Sequence, residues 1–117
     1  MIKNLNRRKL SRTGAHRRAL LRNLATALFQ HEKVQTTLPK AKELASYSER
    51  LITLARANDM NARRALGREI TDAQVQKKVF DILVPRYKDR SGGYTQIFRL
   101  GTRLGDRAEE AIIKLIS

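Results

Sequence analysis

From Ala15 onward the apolar residues recur with a helical beat. Leu20, Leu24 and Leu28, with Leu21 and Ala25 beside them, form one arc, while Arg18, Arg22 and Thr26 follow one another at i, i+4 along its border. This spacing predicts a first helix that buries one side and presents cations on another, with His31 on its apolar arc. The stretch "KVQTT" at 33–37 is β-branched and alternating, which predicts a strand. Thr37 ahead of Pro39 marks the next helix start, because the N–H that proline lacks has no partner in a first turn anyway. Ala41, Leu44, Ser48, Leu51, Ile52 and Ala55 keep the helical period to about Asn58, and "NDMN" reads as a turn. A short helix over "ARRALGREI" follows. The next starts at Thr71 or Asp72, points Val75, Val79, Ile82 and Leu83 inward, and ends at Pro85.

Beyond Pro85 the texture changes. Tyr94 to Thr102 has the aromatic and β-branched content of a strand, "RLGD" supplies a turn, and Ala108 to Ile116 supplies a partner strand, so the two are expected to pair as a hairpin. Three strands and about four helices predict an α+β, two-layer fold in a single globular domain over residues 15–117. Residues 1–14 show neither period and are expected to form an extended basic N-terminal arm that takes its order from a partner.

Charge sharpens this picture. The 117 residues carry 25 Lys and Arg against 11 Asp and Glu, a formal charge of +14. That lies well above the charge of about 2 to 8 that keeps a small domain soluble, and it points to a polyanionic partner. Its distribution is uneven. Residues 1–31 hold eight Lys or Arg and no acid, and residues 86–107 hold six against two, whereas 32–85 hold ten against seven. No apolar run approaches the roughly 18 residues of a membrane span, so a soluble chain is expected. With no cysteine, there is neither disulfide nor thiolate chemistry, which suits a reducing cytosol.

Two constellations follow from this distribution. The first runs from Lys3, Arg7, Arg8, Lys9 and Arg12 through His16, Arg17 and Arg18 to Arg22. Guanidinium groups bind phosphate bidentately, and each phosphate neutralised releases condensed counterions. The second is "PRYKDRSGGYT", in which Arg86, Lys88 and Arg90 supply charge and Gly92 and Gly93 allow close approach to a sugar-phosphate chain. Tyr87 and Tyr94 there either pack in the core or stack on an unpaired base. Arg99 and Arg103 extend the basic character into the hairpin. Arg56, Lys77 and Lys78 are expected to belong to the ordinary surface. Catalysis finds no footing. His16 and His31 stand fifteen residues apart without a metal-ligand or triad neighbour, and "GTRLGD" lacks the Gly-Lys-Ser/Thr ending of a phosphate loop. No cofactor, metal or small-molecule substrate is expected.

The ordered series "RKLSRTGAHRRALLRNL", "TTLPKAKEL", "ITLA", "ARR", "KVFDIL", "PRYKDRSGGYT" and "GTRLGD" resembles the bacterial large-subunit ribosomal protein seventeen family across essentially the whole chain. The resemblance implies a small, non-enzymatic α+β protein of the cytoplasmic ribosome. Such a protein binds large-subunit ribosomal RNA near the nascent-chain exit tunnel, beside neighbouring large-subunit ribosomal proteins. Carried over by position, the family's RNA-contacting residues fall on Arg8, Lys9, Arg12, His16, Arg17, Arg22 and Asn23, and on Arg86, Arg90, Gly92, Gly93 and Tyr94. Several positions depart from the family pattern. Gly14 and Ala15 stand where a serine pair usually opens helix 1, which leaves Thr13 as a substitute cap. Gln96 replaces an arginine, and Lys114 replaces an acid near the end of the last strand.

A double-stranded DNA-binding or nucleoid protein is the alternative reading. It would need a recognition helix with several base-reading side chains and usually a dimer seam, and neither is visible. A membrane-surface protein would need more apolar residues on the arm than Leu5 and Leu10.

Overall fold

A computed structural model describes residues 14–117; the expected arm, including Arg7, Arg8, Lys9, Arg12 and the candidate cap Thr13, lies outside the described residues. The elements are α1 (Gly14–His31), β1 (Lys33–Thr37), α2 (Leu38–Ala55), α3 (Met60–Glu69) and α4 (Ala73–Lys78). α4 runs without a break into a π-helical turn (Val79–Leu83) and a closing α turn, α5 (Val84–Arg86). β2 (Thr95–Thr102) and β3 (Glu109–Leu115) complete the chain. The sheet order is β1-β3-β2, antiparallel throughout, so the last strand lies in the middle and the expected hairpin forms one side of it. Helices cover one face of this sheet, which is the expected two-layer α+β fold.

Local chemistry explains most boundaries. Asp59 Oδ1 accepts from the Ala62 N–H at 2.8 Å, and Asp72 Oδ1 accepts from the N–H groups of Gln74 and Val75 at 2.9 and 3.3 Å, so each carboxylate occupies the N-cap of its helix. α2 starts where Pro39 foretells, and all six of its expected inward residues are buried. Buried Ser48 donates to the Leu44 carbonyl at 2.7 Å, which satisfies its hydroxyl inside the core.

Three expectations need correction. First, the buried stripe of α1 is Leu21, Ala25, Leu28 and Phe29; Leu20 and Leu24 are only half-buried, and His31 is exposed. Burying Phe29, the largest apolar side chain of the helix, turns the arc away from Leu20. Second, Ile82 is 48% exposed and Phe80 takes its place in the core. The Val84 N–H reaches back five residues to the Val79 carbonyl, and this wider turn shifts the register of everything after it. Third, Pro85 sits inside the last helical turn and the helix continues to Arg86. Its missing N–H falls beside the π turn, where the ordinary i to i−4 ladder is already interrupted. Gly14 likewise belongs to α1 and not to the arm.

Glu32 closes α1 with a left-handed φ of 65° and donates its N–H to the Leu28 carbonyl at 2.7 Å. Its carboxylate takes a fork from Arg86 at 2.6 and 3.2 Å and the Lys78 ammonium at 3.1 Å, tying the end of α1 to α4 and α5. Hydrogen bonding to Arg86, reinforced by Lys78 against the opposing effect of burial, lowers this carboxyl from the usual 4.5 to about 2. A folded-state value below the unfolded one means that the stabilisation is complete above about pH 4.5 and is lost as pH falls toward 2. Glu32→Gln should therefore lower stability by about 1 kcal/mol at pH 7, and its stability should converge on that of the native chain by about pH 2. Asp106, held down to about 2 by Arg103, titrates in both proteins, so the difference between their melting-versus-pH curves isolates Glu32.

Candidate nucleic-acid interface

The first turns of α1 carry His16, Arg17 and Arg18, three to five residues ahead of the first buried residue, Leu21. Here the helix extends past the core, and a cleft of about 530 Å³ opens between it and α2. Leu21, Leu51 and Leu54 line the cleft together with Arg17, Arg18 and Arg50, and Tyr47, Glu43 and the Arg22-bound Glu69 also border it. A second, shallower depression of about 360 Å³ also borders α2, lined by Ser46, Glu49, Arg50, Thr53, Ser91 and Gly92. Arg50 lines both. The two basic segments, more than sixty residues apart in sequence, therefore flank the same exposed edge of α2.

The Gly-Gly loop is held in place from beneath. Arg56 donates from Nη1 to the Tyr94 hydroxyl at 3.0 Å and from Nη2 to the Lys88 carbonyl at 2.9 Å. Thr95 donates its hydroxyl to the Glu49 carboxylate at 2.6 Å. Arg90 donates to the Gly93 carbonyl at 2.9 Å, and Gly93 takes the φ of 67° that a side chain would resist. Tyr87 and Tyr94 are fully buried with ring centroids 5.1 Å apart, and the Tyr87 hydroxyl donates to the Ile116 carbonyl. Neither ring is open to base stacking, so Tyr94 shapes the loop from the core.

The cations chosen from sequence thus separate into two groups. Arg17, Arg18, Lys88, Arg90 and Arg99 form no ion pair among the described residues, and Asn23 is exposed on α1. Arg22, Arg86 and Arg103 are paired. Arg22 bonds the Glu69 carboxylate at 2.7 and 3.0 Å, and Tyr47 donates to the same carboxylate at 3.1 Å, which fixes α1 against α2 and α3. Hydrogen bonding to Glu69 raises the Arg22 pKa. Burial, reinforced by Glu69, pushes the Tyr47 hydroxyl up to about 12. Arg86 belongs to Glu32. Arg103 grips Asp106 at 2.6 and 2.9 Å and shapes the β2–β3 turn. Sequence reasoning missed Arg50 and Arg56: the first was counted within a nearly neutral stretch, and the second was assigned to the ordinary surface. Only their tertiary neighbours distinguish them.

The sequence model of the family described as "Ribosomal protein L17" matches residues 20–116. The chain belongs to that family. Among its relatives, the "Large ribosomal subunit protein bL17" of Endomicrobium trichonymphae is 60% identical over 117 residues, all of both chains. That of Halothermothrix orenii is 51% identical over 109 residues, 93% of this chain and 96% of the relative. That of Syntrophotalea carbinolica is 47% identical over 116 residues, 99% of this chain and 75% of the relative. The family match starts inside α1, and the likeness to the Endomicrobium protein carries it through the basic N-terminal segment. Kinship thus agrees with the resemblance read from sequence, and the family is structural and not enzymatic.

Proposed function

We propose that this ribosomal protein L17 family member is a structural constituent of the large ribosomal subunit in the cytoplasm. It binds and stabilises large-subunit rRNA near the nascent-chain exit tunnel, beside neighbouring ribosomal proteins. Kinship supports the assignment to the subunit. The observation that supports the mode of binding is the convergence of Arg17 and Arg18 with the Ser91–Gly92 loop on Arg50. Folding brings guanidiniums of α1 and α2, without ion pairs among the described residues, together with the Gly-Gly loop, where a phosphate backbone can meet them jointly. Gly14, the first residue of α1, also lines the cleft. Arg22 and Arg86 then act as positioning residues, holding α1 and the loop's base in place for the exposed cations.

A tagged copy expressed in cells and resolved on a sucrose gradient should co-migrate with the large subunit and stay there at moderate salt. Migration at the top of the gradient, or with chromosomal DNA, would overturn the reading and favour the nucleoid alternative.

A further inference from the structure

The sheet has a second face that no helix covers among the described residues. Strand alternation places Lys33 and Gln35 of β1, Ile112 and Lys114 of β3, and Gln96 and Phe98 of β2 on it. The register sets Lys33 opposite Lys114 and Lys114 opposite Gln96; one rung over, Gln35 lies opposite Ile112 and Ile112 opposite Phe98. Phe98 is 47% exposed, with Ile112 half-buried at its side and the Lys114 ammonium 5.8 Å from its ring centroid.

Two features here are unfavourable in the isolated protein. A large aromatic ring lies open to water, and two lysines face each other across adjacent strands, an arrangement that destabilises a sheet. Neither lysine forms an ion pair among the described residues. The nearest acid on that face, Glu110, is engaged with Gln35 at 3.4 Å and Arg103 at 3.6 Å. A ligand with a flat apolar surface and a negative charge next to it relieves both.

We infer that this outer face is a second RNA site, where an unpaired base stacks on Phe98 over Ile112 and its flanking phosphate lies between Lys33 and Lys114. Gln35 and Gln96 flank the platform with amides able to hydrogen-bond a base edge. Sheets take single-stranded nucleic acid with this combination of exposed ring and adjacent cations. A protein partner fits less well, because lysine is depleted at the centre of protein interfaces and here Lys114 lies over the ring with Lys33 beside it one strand further on. The face lies across the sheet from the helices and from Arg50, so the protein would bridge two RNA segments. This inference rests on the rRNA-binding reading.

The test uses the full chain with two probes, large-subunit rRNA and a 2-aminopurine-labelled oligoadenylate of about twelve nucleotides, a length within the single-strand site sizes of small binding folds. Phe98→Ala should weaken oligoadenylate binding about tenfold and remove the fluorescence quenching that stacking produces, while Phe98→Trp should retain both. Phe98→Leu keeps apolar bulk on the strand and should lose the quenching with an unchanged melting midpoint, which separates stacking from folding. Lys33→Gln with Lys114→Gln should lower the salt slope by about 0.7 per lysine. Native rRNA binding together with unchanged oligoadenylate binding in Phe98→Ala, or with no oligoadenylate binding by the native chain, would overturn this site and leave the rRNA reading intact. Failure of the native chain to bind either probe would overturn both. Unchanged RNA binding by Phe98→Ala with loss of a protein that otherwise co-purifies would make the face a protein-docking surface and overturn the inference.

Discussion

Replacing Arg17, Arg18 and Arg50 together by glutamine will weaken binding to large-subunit rRNA by about two to three orders of magnitude near 0.1 M salt, and will lower the slope of log K against log salt by about 2 to 3. Each phosphate contact contributes about 0.7 to 0.9 to that slope, and among the described residues these three guanidiniums carry no ion pair that would already neutralise them. The comparison protein replaces Arg64, Arg68 and Lys77, exposed cations of α3 and α4, and so removes the same net charge from elsewhere. It should lose less than tenfold. Arg56 and Lys78, which the sequence alone puts in such a comparison set, do not belong there: the first staples the Gly-Gly loop and the second binds Glu32. Equal losses in the two triple variants would show that total charge governs binding and that the convergence on Arg50 has no part in it. Filter binding over a salt series reads both quantities.

Phe29→Ala will destabilise the fold by about 3 to 5 kcal/mol and abolish most rRNA binding at 37 °C, although Phe29 lies at the far end of α1 from Arg17 and Arg18. The ring is fully buried in the cluster formed by α1, α2 and the sheet. Against the 5 to 15 kcal/mol that usually separates folded from unfolded chains, the loss removes a large share of the margin. RNA binding falls because α1 is the mount that orients its first-turn guanidiniums, and a loose mount adds ordering entropy to binding. Leu24→Ala, on the half-buried border, should cost only about 1 to 2 kcal/mol and leave binding within a few-fold. Denaturant titration with parallel rRNA affinity checks the pair. A smaller effect for Phe29→Ala than for Leu24→Ala would restore the Leu20–Leu24–Leu28 arc as the buried one.

The readings that succeeded share a cause. The inward residues of α2, the Asp72 start of α4, the β1 strand and the hairpin are written in signals no more than a few residues long: the 3.6 period, a capping carboxylate, an alternation, a turn. The readings that failed depended on choices between locally equal alternatives. Leu20 and Leu21 compete for the same face of α1, and the choice falls to whichever rotation buries Phe29. Ile82 and Phe80 compete in the same way, and a single wide turn between Val79 and Val84 decides it. No window of local sequence carries that information.

The basic partition of the chain, the acid-free opening and the cation-rich loop were settled by sequence, because charge and residue type do not depend on folding. Which cations remain free was decided by tertiary structure. Glu69 lies 47 positions from Arg22 and Glu32 lies 54 from Arg86, and only the packing of α3 on α2 and of α5 beside the end of α1 brings these carboxylates within about 3 Å of their guanidiniums. The same packing leaves Arg17, Arg18 and Arg50 without an ion pair among the described residues. It buries Tyr94 and exposes Phe98, four residues along, because the first lies under the loop against α2 while the second points to the side of the sheet that no helix covers. Sequence sets how much charge and aromatic surface the protein has. The fold sets where a polyanion can reach it, since pairing and burial are properties of distance in space and not of separation along the chain.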